Sequence, residues 1–280
     1  MPTVRTTSLA ANINLYYESR GSGEPLLMIM GLGGSALGWD PALIEDLARS
    51  CRTVIFDNRG TGRSDQPDEE YSIEGMAADA AALLDAIGIE RAHLFGVSMG
   101  GMIAQEFALR YPARVQTLAL GCTTAGGRNA VPAPPDSMAI LSAPRNGLSD
   151  ADLIRRAWPI SYPASYLQSH RAELEAAIVR VLAHPTPAFA YKRQLAATFK
   201  FNTYDRLAQI AAPTLVITGT DDALLPAANS EIIAARIPGA KLSLIHNAGH
   251  MFFNQERETL ARQLVALMQA HPMSPPGRGA

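Results

Sequence analysis

Apolar residues recur along this chain in two periods, and the periods alternate. Short runs rich in β-branched and aromatic residues predict strands over Ile13 to Glu18, Leu26 to Met30, Thr53 to Asp57, Ala92 to Val97, Val115 to Leu120, Thr214 to Thr218 and Lys241 to His246. The opening residues Met1 to Arg5 lead into a strand-like stretch. Between these runs the spacing turns helical. Met76, Ala80, Leu83, Leu84 and Ile87 form one stripe within Ser72 to Ile87, and Leu260, Leu264, Leu267 and Met268 form another near the end. Strands alternating with amphipathic helices predict an α/β fold, a mostly parallel, doubly wound sheet of about eight strands with helices on both faces.

One segment departs from this rhythm. Between Gly126 and about Asp205 no strand pattern occurs, and the proline-rich stretch Val131 to Pro135 opens a helical region. Ser149 begins a capping box with Asp152. Tyr166 to Leu182 carries Leu167, Leu174, Ile178, Val181 and Leu182, and Ala188 to Phe199 carries Tyr191, Leu195 and Phe199, all at helical spacing. The predicted organisation is a core of residues 1–125 and 206–270, a helical cap of residues 126–205 inserted after strand 6, and a flexible tail of residues 271–280. Such a cap would lie above the carboxyl ends of the strands, where open α/β sheets bind ligands.

Composition narrows the function classes. The 280 residues are 48% hydrophobic, enough for one large core. The 24 Lys+Arg and 26 Asp+Glu are interspersed, with a net charge of -2, so no basic stripe is present to engage nucleic acid. No apolar run approaches the ~20 residues that span a bilayer, and Met1 to Arg5 lacks the character of a signal peptide; the expectation is a cytoplasmic protein without membrane partners. Cys51 and Cys122 read as small core residues rather than a disulfide framework.

Candidate chemistry begins at Gly96-Val97-Ser98-Met99-Gly100-Gly101. An apolar strand enters this turn and a helical pattern, Met99, Ile103 and Phe107, leaves it, ending near Tyr111-Pro112. Glycines at 96 and 100 omit the side chains that would collide in a strand-to-helix reversal, and Ser98 at the apex would be exposed and strained. A serine hydroxyl is a weak nucleophile at neutral pH, so Ser98 needs a base and a group to orient that base. His93 precedes the strand that delivers the serine, His170 and His184 fall in the cap, and His271 falls in the tail. His246 continues a strand alternation and reads as structural, whereas His250 follows Asn247-Ala248-Gly249 in a loop at the serine's edge of the sheet. The orienting acid should also follow a strand, and Gly219-Thr220-Asp221-Asp222 offers two adjacent carboxylates between which spacing does not choose.

These features resemble the α/β-hydrolase family, in its serine esterase and lactonase branch, over nearly the whole chain. GVSMGG is similar to that family's nucleophile elbow, and the order Ser, Asp, His matches its triad. Asp57-Asn58-Arg59-Gly60-Thr61-Gly62-Arg63-Ser64 resembles the family's DxRGxGxS loop, which implies structural roles for Asp57, Arg59 and Ser64. Gly219 to Pro226 resembles the GxxDxxxP loop, whose register implies Asp222 rather than Asp221 as the acid, and Ala248-Gly249-His250 resembles the GH loop. The family commonly has His-Gly at the end of the strand before its first helix, where this chain has Met30-Gly31-Leu32-Gly33-Gly34. The oxyanion hole needs backbone N–H groups there, so the resemblance implies Leu32 and Met99 as donors.

The resemblance then implies a serine hydrolase acting on a carboxylic ester or lactone of a small, largely apolar molecule, with no metal or organic cofactor. Trp39, Trp158, Tyr162, Tyr166 and Phe189 are candidate pocket walls. A serine at the elbow argues against the dehalogenase and epoxide hydrolase branches, which use aspartate there. Two other readings keep the fold: the same triad used for carbon–carbon hydrolysis or perhydrolysis, and a non-catalytic binding protein, which would be expected to lack a triad member. Nothing in the pattern fixes the oligomeric state.

Overall fold

The computed structural model describes residues 3–8, 11–144 and 147–273; the part of the expected tail beyond residue 273 lies outside the described residues. Strand β3 (Pro25–Ile29) shows how the sheet is buried. Leu26 and Met28 enter one apolar cluster while Leu27 and Ile29 enter another, as the two-residue period of a strand requires. β5 (Ala92–Val97) divides likewise, with Ala92 and Leu94 on the side of Leu27 and with Phe95 and Val97 on the side of Leu26.

The remaining strands are β1 (Thr3–Ser8), β2 (Ala11–Arg20), β4 (Arg52–Phe56), β6 (Val115–Gly121), β7 (Thr214–Gly219) and β8 (Lys241–Ile245). They form one eight-stranded sheet in the order β1-β2-β4-β3-β5-β6-β7-β8. β1 and β2 run antiparallel to their neighbours, and all other pairs are parallel. After β3 the chain builds β4 to one side, then returns to build β5 on the other, so strand order reverses between β3 and β5. A crevice opens at the carboxyl ends of two strands related in this way.

Helices α1 (Pro41–Ala48), α2 (Ile73–Ala86) and α3 (Met99–Arg110) lie between the strands. After β6, among the described residues, come the α-helices α4 (Pro135–Ser142), α5 (Asp150–Ser161), α6 (Ala164–Ser169), α7 (Arg171–Val181) and α8 (Ala188–Lys200), with no strand among them. α9 (Ala228–Arg236) precedes β8, and α10 (Phe252–Gln255) and α11 (Arg257–Ala270) follow it. α2, α3 and α9 cover one face of the sheet and α1 and α11 the other. The Ser72 hydroxyl accepts the Gly75 N–H at 3.0 Å and so caps α2 where the sequence predicts its start, a contact worth ~1 kcal/mol.

A single antiparallel bridge, Gly126 to Asn202, joins the two ends of the helical insert. Ser149 caps α5, accepting the Asp152 N–H as its capping box predicts. The expected single helix from Tyr166 to Leu182 is instead two, α6 and α7, broken at His170. The Ser169 hydroxyl donates to the carbonyls of Ser165 and Tyr166, in competition with the helix's own backbone bonds, and the His170 ring stacks on Tyr166.

The insert is hydrogen-bonded to loops that follow β3, β4, β7 and β8. Arg180 Nε donates to the Leu37 carbonyl, Gln194 Nε2 to that of Arg59, Ser137 Oγ to that of Ala223, and the Met251 N–H to that of Ser161. It therefore lies over the carboxyl edge of the sheet. His271 to Met273, the first residues of the expected flexible tail, are tied back to the core: Gln116 Nε2 donates to the carbonyls of His271 and Pro272, and the Met273 N–H to Glu24. Among the described residues no helix is long and apolar enough to cross a membrane.

Candidate active site

Ser98 occupies the sharpest point of the backbone. Its φ of 56° and ψ of -123° place a non-glycine residue in a conformation that L-residues avoid. Both of its backbone polar groups are tied: the N–H donates to Gly121 O at 2.9 Å, and the carbonyl accepts the Gly101 N–H and the Thr123 hydroxyl at 2.9 and 2.8 Å. The glycines beside it are sterically required. A Cβ on Gly96 would lie 2.2 Å from Gly100 O, and one on Gly100 would lie 2.1 Å from Ile29 O. Ser98 itself is only partly buried.

The loops after β7 and β8 meet in a carboxylate–imidazole pair. His250 Nδ1 lies 2.8 Å from Asp222 Oδ2, and Asp222 Oδ1 accepts the N–H groups of Leu224 and Leu225, both at 2.8 Å. Each residue is 5% exposed. A carboxylate that accepts on both oxygens makes Nδ1 the donor of the imidazole and leaves Nε2 as its acceptor. Asp221 faces solvent with its carboxylate accepting the Thr220 hydroxyl, so of the two adjacent carboxylates it is Asp222 that is paired with His250. His246 is exposed. His93 is fully buried at the start of β5, between Thr117 and Glu24, at the opposite end of the strand from Ser98.

Cys122 links the elbow to this pair. It follows Gly121, the acceptor of the Ser98 N–H, and its Sγ lies within 4.8 Å of ligand atoms of both Asp222 and His250. The three groups do not suit a metal ion. Both Asp222 oxygens and His250 Nδ1 are engaged, and burial, with the Asp222 charge adding to it, holds the Cys122 pKa well above the usual thiol range, so the sulfur keeps its proton.

The loop after β3 lies against the elbow. A Cβ on Gly31 would come within 3.0 Å of the Ser98 Cβ. Among the described residues neither the Leu32 nor the Met99 N–H has a hydrogen-bond acceptor, and Met99 opens α3, where N–H groups lack intrahelical partners. The Asp57 carboxylate accepts the Ala36 N–H at 2.6 Å and the Arg63 N–H at 2.8 Å, Ser64 Oγ donates to the Asp57 carbonyl at 2.6 Å, and Arg59 is paired with Asp79 and Glu69. These three build the turn after β4, in keeping with the structural roles implied for them.

The five aromatic candidates separate. Trp39 is packed into the core between Phe95 and Phe253, with centroid distances of 5.7 and 5.4 Å. Trp158 and Tyr162 form the insert's own apolar cluster with Leu174 and Ile178, against which Tyr166 and Met251, the residue after His250, pack. Phe189 is exposed near the start of α8. Sequence reasoning did not single out Thr186 or Gln194. Both bind the loop after β3 from about 150 residues away, a distance over which periodicity carries no signal.

The fold and this arrangement of loops define a class. A protein-family model for the alpha/beta hydrolase fold matches residues 24–256, and the chain belongs to that family of hydrolases. It is similar to a protein of Azorhizobium caulinodans named "Putative carbamate hydrolase RutD", 35% identical over 85% of this chain and 89% of that one. It is 32% identical to a poly(3-hydroxyalkanoate) depolymerase of Ectopseudomonas oleovorans over 88% of this chain and 84% of that protein. A solved esterase from Thermogutta terrifontis superposes with a TM-score of 0.82 at 27% identity, covering 97% of this chain and 99% of that one.

Proposed function

We propose that the chain is a serine hydrolase that cleaves a carboxylic ester or lactone of a small, largely apolar molecule through an acyl-enzyme on Ser98. The observation that carries this reading is the buried His250–Asp222 pair, on loops at the carboxyl edge of the same sheet whose β5 ends in the strained serine. Ser98 Oγ attacks the substrate carbonyl carbon as His250 Nε2 takes its proton, and Asp222 stabilises the imidazolium. The carbonyl oxygen becomes an oxyanion held by the Leu32 and Met99 N–H groups, a role consistent with their lack of other acceptors. Collapse of the tetrahedral species breaks the bond to the leaving alcohol, which takes the proton from His250. Water, deprotonated by the same nitrogen, then attacks the acyl carbon and releases the acid and the serine. In a lactone the acid and alcohol leave as one molecule.

Two of the relatives support ester chemistry by name, and the third extends the trial to carbamates, whose carbonyl suits the same attack. The test is steady-state hydrolysis of p-nitrophenyl acyl esters of increasing chain length, a lactone and an aryl carbamate. Ser98→Ala is expected to lower kcat by roughly 10⁶-fold with the fold intact by circular dichroism. Turnover that survives Ser98→Ala, or a wild-type protein inert to all three substrate classes, would refute the reading. A diketone or peroxide preferred over every ester would move it to the carbon–carbon or perhydrolysis alternative.

A further inference from the structure

The loop that carries Leu32 is held from outside the sheet. Gln194, on α8 of the insert and fully buried, accepts the Gly33 N–H on Oε1 at 2.8 Å and donates from Nε2 to the Arg59 carbonyl at 2.9 Å. Thr186, just before α8, donates its hydroxyl to the Gly33 carbonyl at 2.9 Å. Gly33 itself has a φ of 68°, and a Cβ there would stand 2.8 Å from the Tyr191 ring. Both polar groups and the open Cα face of one glycine are therefore engaged by three residues of the insert. A few residues on, Arg180 Nε donates to Leu37 O.

The peptide between Leu32 and Gly33 is rigid and planar, so fixing the Gly33 N–H also fixes the Leu32 carbonyl, and only the φ and ψ of Leu32 then stand between that plane and the Leu32 N–H. We propose that Gln194 is a positioning residue: from the insert, with Thr186, it sets the Leu32 N–H against the oxyanion, so that the hole is complete only while α8 is docked. This rests on the assignment of Leu32 as an oxyanion donor. Gln194 suits the role because a side-chain amide both accepts and donates, and here it joins the loops after β3 and β4 in a single step. An N–H that meets the oxyanion only at the right place is most valuable in the transition state and contributes little to ground-state binding, so its misplacement should appear in kcat rather than KM.

The experiment compares Gln194→Met, which keeps length and volume but neither hydrogen bond, with Thr186→Val and Thr186→Ser. Turnover of p-nitrophenyl butyrate, normalised to the sites titrated by a fluorophosphonate, is read beside amide hydrogen exchange of residues 31–37. Gln194→Met is expected to lower kcat by roughly 10- to 100-fold, with KM changed less than about threefold, and to speed exchange at Gly33 by about tenfold or more. Thr186→Val should lower kcat by a smaller factor, and Thr186→Ser, which keeps the hydroxyl, should restore it. Should Gln194→Met fail to fold, the Thr186 pair carries the same test at a less buried position. The proposal is overturned by a folded Gln194→Met with kcat within about twofold of wild type, by Gly33 exchange unchanged from wild type, or by equal kcat in Thr186→Val and Thr186→Ser. Survival of turnover in Ser98→Ala would overturn the assignment of the nucleophile instead, and the exchange measurement reads the clamp independently of it.

Discussion

On the proposed mechanism, the acid–base pair and the loop assigned to the oxyanion differ in what touches them most closely. Asp222 and His250 sit on loops after β7 and β8, where the N–H groups of Leu224 and Leu225 hold the carboxylate, the Asp221 N–H on Ala248 O ties the two loops, and the insert touches the adjoining residues Ala223 and Met251 through Ser137 and Ser161. The loop after β3 is held from the core by Asn58 on the Met30 carbonyl and Asp57 on the Ala36 N–H, and from the insert by Thr186, Tyr191 and Gln194 around Gly33 and by Arg180 on the Leu37 carbonyl. The contrast lies in the contacts nearest each group: local backbone on the Asp222 carboxylate, and side chains of the insert on both polar groups of Gly33.

If that division holds, damage to the acid–base side should be severe and local. Asp222→Asn is expected to lower kcat for an ester by roughly 10⁴-fold, because an amide nitrogen opposite Nδ1 favours the wrong imidazole tautomer, while Asp221→Asn should stay within about twofold of wild type. Equal losses in the two variants, measured by steady-state kinetics, would contradict the assignment. Damage on the oxyanion side should be graded. Gly33→Ala places a Cβ against the Tyr191 ring at a left-handed φ, a strain of about 1–2 kcal/mol, and the ring can yield where backbone could not. A fall in kcat of roughly tenfold is expected there, with a thermal midpoint lower by a few degrees.

The smallest effect is expected at the far end of β5. Burial holds the His93 pKa below its ordinary value of 6.5, against the opposing pull of the Glu24 carboxylate. The folded chain thus keeps this imidazole neutral when the unfolded chain would protonate it. The stability contributed by the neutral ring is present above pH 6.5 and is lost as pH falls through the lower folded value, at no more than about 1.4 kcal/mol per pH unit for one proton. Urea unfolding between pH 5 and 8 should show a flatter acid limb for His93→Gln than for wild type. The pH profile of kcat/KM should be the same in both, since His93 and Ser98 stand at opposite ends of the strand.

What the sequence reveals about this molecule follows the range of the forces involved. Seven strands, the start of α2 at Ser72 and the end of α3 before Pro112 are matched within a few residues, because burial on both sheet faces and capping are written in adjacent positions. Thr3–Ser8 is mostly polar, and its own pattern carries little trace of its place at the sheet edge. The break at His170 was hidden because the apolar period runs through it, and the Ser169 hydroxyl that bonds the Ser165 and Tyr166 carbonyls there leaves no apolar signature. Between Asp221 and Asp222 only loop geometry discriminates, and the family register anticipates it. Trp39 shows the opposite difficulty: an aromatic ring looks the same in a sequence whether it faces a ligand or, as here, Phe95 and Phe253. Gln194 left no mark, since its partners Gly33 and Arg59 are remote in the chain and its helix would accommodate many other residues at that position.

The bridge between Gly126 and Asn202 makes the insert, for the sheet, no more than one long surface loop with its ends pinned together. Closing a loop becomes only slowly harder with length, by about 0.6 kcal/mol per doubling. Segments of other lengths and shapes could therefore be exchanged at these two residues without rethreading a single strand. On the clamp proposed above, a replacement would still have to bring a hydrogen-bond acceptor to the amide of Gly33 and a donor to its carbonyl. Diversity in what sits above the sheet would then be bounded by a grip on a single glycine.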